Sequence, residues 1–161
     1  MPGPTDDGPV TRDDVLPAGA RQCFACGDDN PIGMHLDDIR REGDEVRATL
    51  HPRPEYQSYP GVLHGGLSAT ALDEVMGYSA ILLAGIWAAT ATMDLRYRAQ
   101  VPYDAPLPLV AGLVDARGRR VRAWARLHLP GGGVGVDAKG LLVALPEETA
   151  ARARELYGPM A

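Results

Sequence analysis

A chain of 161 residues, 45% of them hydrophobic, has enough apolar material for one domain whose core needs no disulfide staples. A net charge of −5, basic residues dispersed among acidic ones, and an aromatic content of only 6% argue against a nucleic-acid partner. The longest apolar run, residues 78–93, is broken by Gly85, Thr90 and Thr92 and falls short of a membrane span; with no leader-like segment at its start, the chain is expected to be soluble and cytoplasmic.

Residues 1–20 carry Pro2, Pro4, Pro9 and Pro17 among glycines and acids with little to bury, which predicts a disordered tail ahead of a single domain over 21–158. Cys23 and Cys26, the only cysteines, form a Cys-x-x-Cys pair inside a loop sequence that ends Asn30-Pro31. His35, His51, His64 and His128 lie singly rather than at metal-ligand spacing, so buried reduced thiols are expected, with no metal and no cofactor. Residues 33–41 and 45–51 flank Glu42-Gly43-Asp44, and Val46, Ala48 and Leu50 alternate with polar residues, predicting a β-hairpin.

The stretch from Gly61 to Tyr78 organises the rest. His64-Gly65-Gly66 opens a segment in which Leu67, Ala71, Leu72, Val75 and Met76 recur at helical spacing, predicting a buried helix over about 66–83 that stops near Gly85. Its first N–H groups lack intrahelical partners, and the glycines let a ligand oxygen approach them, which is how an oxyanion site is built. Gln57 and Ser58 fall close to this helix start, and Asp73 and Glu74 come two turns in, one of them facing the core side or a cleft. Beyond the helix, 91–97, 107–116, 121–129 and 134–145 read as strands joined by short turns, and 146–157 as a terminal helix. Gly131-Gly132-Gly133 leads into strand-like residues with no following Lys-Ser/Thr, so it reads as a hairpin turn. A hairpin, one long helix and a run of antiparallel strands make an α+β domain with a sheet wrapped on one central helix.

Cys26-Gly27 with Asn30-Pro31-x-Gly33, the run from Tyr59 to Gly66, and Leu72-Asp73-Glu74 together resemble the hotdog-fold acyl-CoA thioesterases of the phenylacetate-degradation type, over about residues 23–145. The most specific part is His-Gly-Gly with an Asp nine residues after the His. The resemblance implies that the Gly65 N–H, helped by Gly66, receives the thioester oxygen and that Asp73 is base or nucleophile. It further implies that His64 orients the thioester or its loop, and that Thr92 lies near the attacking water. Gln57 and Ser58 stand where some relatives have an Asn, and Glu74, about 100° around the helix from Asp73, is the competing carboxylate. Arg117, Arg119 and Arg120 are the candidate cations for CoA phosphates. An acyl-CoA or acyl-carrier substrate and a homodimer or dimer of dimers follow from the same resemblance. The reading of another class is a non-catalytic acyl-thioester binder or a biosynthetic hotdog protein, cyclase- or dehydratase-like.

Overall fold

The computed structural model describes residues 10–12 and 22–157. Six strands, β1 (Asp37–Glu42), β2 (Glu45–Leu50), β3 (Ala88–Tyr97), β4 (Leu107–Arg117), β5 (Arg120–His128) and β6 (Val134–Ala144), form one sheet. Its order is β1-β2-β4-β5-β6-β3, with every neighbouring pair antiparallel. The long helix α1 (Gly65–Ala84) touches all six strands, and α2 (Glu147–Tyr157) closes the chain. This is an α+β hotdog fold, a sheet curled around one helix.

Alternation puts the core where it belongs. Val46, Ala48 and Leu50 of β2 and Val121, Ala123, Ala125 and Leu127 of β5 are all buried against α1, while their neighbours face outward. From the helix side, Ala71, Leu72, Val75, Met76, Ala80 and Leu82 complete the core. Each such leucine contributes about 1.5–3 kcal/mol by leaving water. Length and composition alone would let α1 cross a bilayer, yet half of it is buried inside the sheet's curl. The helix ends where Gly85 adopts φ 67° and its N–H donates to the carbonyls of Ala80 and Ile81, a left-handed cap that glycine makes without strain.

Three features depart from the sequence reading. β3 begins at Ala88 rather than 91, because a register shift between Thr90 and Thr92 interrupts the alternation there. Residues 54–56, for which the sequence reading gives no element, form a 3-10 turn opened by Pro54. Within the expected tail, Val10 accepts a 2.7 Å hydrogen bond from the Arg41 N–H and Thr11 bridges Arg40, so residues 10 and 11 lie along β1. The remainder of that tail, and residue 158 at the expected domain end, lie outside the described residues.

Candidate active site

The loop ahead of α1 is held by its own polar groups. The Ser58 N–H donates to Val62 O at 2.9 Å, Gln57 Oε1 accepts from the Gly61 N–H at 3.4 Å, and Gly61 turns the chain at φ 81°. The His64 N–H donates to Tyr56 O and the Leu63 N–H to Val101 O, both at 2.8 Å, which fixes where the helix starts. His64 is the N-cap: its Nδ1 accepts from the Gly66 N–H at 3.0 Å. Gly66 therefore spends its N–H on the cap. The Gly65 N–H has no hydrogen-bond partner among the described residues, and it points out of the positive end of a twenty-residue helix. Tyr97, at the end of β3, donates its hydroxyl to Gly65 O at 2.9 Å, with its ring 3.2 Å from where a Gly65 Cβ would be. A Cβ at this position would press on the exposed Tyr97 ring, and the sequence reading did not assign Tyr97.

The two neighbouring acids are separated by the fold. Asp73 Oδ1 is buried and has no hydrogen-bond partner among the described residues. Such an oxygen carries a desolvation cost unless something outside these residues meets it. Glu74 instead has Oε1 3.4 Å from Cys23 Sγ, within hydrogen-bond reach, and Cys26 Sγ lies 3.3 Å from Tyr78 Oη. Burial, reinforced by the charge on Cys23, pushes the Glu74 carboxyl up to about 8. The hydrogen bond from Cys26, with backbone N–H groups of Cys26 and Ala25, brings Cys23 down to about 5 against the opposing effect of burial. Cys26 is pushed up by its bond to Cys23 and by burial, and Tyr78 by burial first.

The thioesterase superfamily model matches residues 60–136, which contain His64, Gly65, Asp73 and Thr92. The matched stretch belongs to the thioesterase superfamily. A solved thioesterase superfamily protein is 31% identical with a TM-score of 0.70 over 76% of this chain, and the chain spans 60% of that relative's length. Zebra fish thioesterase superfamily member 2 is 14% identical at TM-score 0.69, with 84% of this chain and 99% of that one covered. A Streptococcus mutans protein solved bound to acetyl CoA is 17% identical at TM-score 0.63, covering 68% and 88%. These last two share the fold. No curated protein matches the chain.

The other expected site residues are scattered. Gln57 and Ser58 are exposed in the loop beside the helix start, where Ser58 Oγ donates to Val62 O. Thr92 is exposed mid-way along β3, opposite Leu141. Met76 packs beneath Gly140, where a Cβ would lie 3.1 Å from it and 3.3 Å from Thr92 O, so the middle of α1 and the middle of β3 are level. Asp73, one turn before Met76, is thus nearer Thr92 than Gly65 is. Arg117, Arg119 and Arg120 turn the chain between β4 and β5. Arg120 pairs with Val143, as Ala89 does, whereas Tyr97 pairs with Val136. The arginines therefore sit at the other end of the sheet from Gly65, seven residues of β6 or roughly 24 Å away. Arg119 caps Ala144 O at 3.1 Å and Arg117 faces Asp115 at 3.6 Å. Within one chain they do not converge on the helix start.

Proposed function

We propose that the protein is a thioester hydrolase of the phenylacetate-degradation type, acting on acyl-CoA or acyl-carrier thioesters, with each active site shared between two chains. One observation carries this: a Gly65 N–H and a buried Asp73 oxygen, neither with a hydrogen-bond partner among the described residues, lie on one helix eight residues apart. At about 1.5 Å per residue that is about 12 Å along the axis, too far for one carbonyl. A donor and a base must both come within about 3 Å of the reacting group.

The free edge of β3 supplies the means. Residues 89–92, 94, 96 and 97 are exposed along a ten-residue strand paired only on its β6 side. A two-fold pairing centred between Asp94 and Leu95 sets each Tyr97, with its Gly65, opposite Thr92 of the other chain, level with Asp73. In that assembly the Gly65 N–H and the α1 dipole receive the developing oxyanion. Asp73 of the other chain then takes a proton from water or attacks the carbonyl carbon. Thiolate leaves readily, so a single donor worth about 3–4 kcal/mol is an adequate electrophilic aid. The acetyl CoA in the Streptococcus mutans protein, which shares the fold, makes CoA thioesters the first class to screen.

Mixing two inactive variants, Asp73→Ala and Gly65→Pro, tests the shared site. Proline suits the position: His64 is extended at ψ 129°, Gly65 is the first helical residue, and its N–H is unbonded. A Cβ there meets the Tyr97 ring at 3.2 Å, so the variant's fold is checked by circular dichroism before mixing. Each mixed dimer has one site with both defects and one with none, so about a quarter of wild-type thiol release should return after free exchange. No recovery after exchange is verified by mass sinks the shared site. Binding of a panel of acyl-CoA and acyl-carrier thioesters without thiol release by the wild-type protein replaces hydrolase with binder.

A further inference from the structure

The loop that carries Cys23 and Cys26 is pinned before any ligand arrives. The Gly27 N–H donates to Cys23 O at 2.9 Å and closes one tight turn around the pair. The N–H groups of Met34 and Leu36 donate to Phe24 O at 2.7 Å and Ala25 O at 2.8 Å, tying that turn to the lead-in of β1. Arg12 braces it from outside, donating to Cys26 O at 2.7 Å and pairing with Asp28 at 3.1 Å. Both sulfurs are thus aimed at α1, where Cys23 meets Glu74 and Cys26 meets Tyr78 with Glu74 close by.

Cys23 Sγ, Cys26 Sγ and a Glu74 carboxylate oxygen all lie within 4.8 Å of one another, with the Cys23 to Glu74 separation at 3.4 Å. A tetrahedral zinc ion, with sulfur at about 2.3 Å and oxygen at about 2.0–2.2 Å, holds its ligand sulfurs about 3.8 Å apart and a sulfur and an oxygen about 3.5 Å apart. The cluster is therefore within about 1 Å of a ligating arrangement. The Tyr78 hydroxyl meets Cys26 Sγ at 3.3 Å, an outer contact of the kind that orients thiolate ligands. Cys26 is buried and Cys23 half-buried, which leaves a way in from the Cys23 side.

We propose that Cys23, Cys26 and Glu74 bind one zinc-class divalent cation, with water in the fourth position, and so staple the N-terminal loop to α1. The dispersed histidines, which led the sequence reading to expect no metal, have no part in the site. Its third ligand comes from a helix 48 residues beyond Cys26. The ion lies one residue from Asp73 but is not required to touch substrate, so the assignment stands or falls apart from the hydrolase reading.

The full chain, purified under reducing conditions and stripped with chelator, is titrated with Co²⁺ and then Zn²⁺. The expected result is a thiolate-to-cobalt charge-transfer band with four-coordinate visible bands, saturating at one ion per chain and abolished by Zn²⁺. Cys26→Ser should remove the band. Glu74→Gln should weaken binding by roughly tenfold or more, since even an outer-shell contact is worth that. Should Cys26→Ser fail to fold, the wild-type cobalt spectrum still reports thiolate ligation. Absence of the band in the reduced wild-type chain overturns the site, as does Glu74→Gln binding as tightly as wild type. A Cys23–Cys26 disulfide forming with glutathione disulfide as fast in stoichiometric zinc as without it also overturns the site, in favour of a redox pair.

Discussion

Asp73 and Glu74 are adjacent on α1 and face different partners, and this decides which of them is available for chemistry. Asp73→Asn should lower kcat at least about a hundredfold with the fold intact, the scale of removing a general base, while Glu74→Gln keeps most of it. A dead Glu74→Gln beside an active Asp73→Asn would reverse the assignment. The sequence could rank the pair only by the spacing from His64. What separates them is a contact between residues 23 and 74, which no local period encodes. The same contact makes a prediction about pH in the metal-free chain. Glu74 rises from 4.5 to about 8 on folding, so its contribution to stability is present at low pH and lost as pH climbs through that range. Cys23 falls from 9.0 to about 5, so its contribution is present at high pH and lost as pH drops through the corresponding range. Between about 5 and 8 the folded pair and the unfolded pair each hold one proton, and the two slopes cancel. Cys23→Ser removes one slope, while burial keeps Glu74 raised. Urea midpoints measured in chelator should then fall from about pH 5.5 to 7.5 in the variant, relative to wild type.

Strand β5 was legible residue by residue because one of its faces is covered along its whole length, so burial and alternation coincide. β3 was legible only from residue 91, since the register shift after Thr90 breaks the alternation that a period-two reading depends on. Its place at the edge, beside β6 rather than β4, is a property of the sheet's order and has no local signature. Between β4 and β5, Gly112 faces Trp124 directly across the ladder, and the indole lies 2.8–2.9 Å from where a Gly112 Cβ would be. Arg126 stacks on that ring at 4.9 Å, which limits its freedom to move aside. Gly112→Ala should cost about 1–3 kcal/mol in denaturant unfolding, as overpacking does. The same substitution should cost much less in a Trp124→Ala background. Equal costs in both backgrounds would mean that the ring yields freely.

The hotdog architecture was readable from the order of elements together with the motif around His64, because one helix followed by four strands leaves few ways to bury α1. The assembly was less readable, since nothing along a single strand says what lies across its free edge. If active sites are shared, specific activity should fall on dilution as dimers part, following the dissociation constant found by sedimentation. Activity per chain that stays constant through that dissociation would show a site complete in one chain.

The fold also imposes an order of events during synthesis. α1 is finished at Ala84, but the strands that cover most of it, β3 to β6, end only at Ala144. At roughly 5–20 residues per second, an apolar helix waits about 3–12 s for its wrapper to leave the ribosome. Its early partners are only β1 and β2, a two-stranded hairpin of marginal stability by itself. Nascent chains truncated near residue 100 should therefore be captured by chaperones that bind apolar segments, and full-length chains released once β6 has been made.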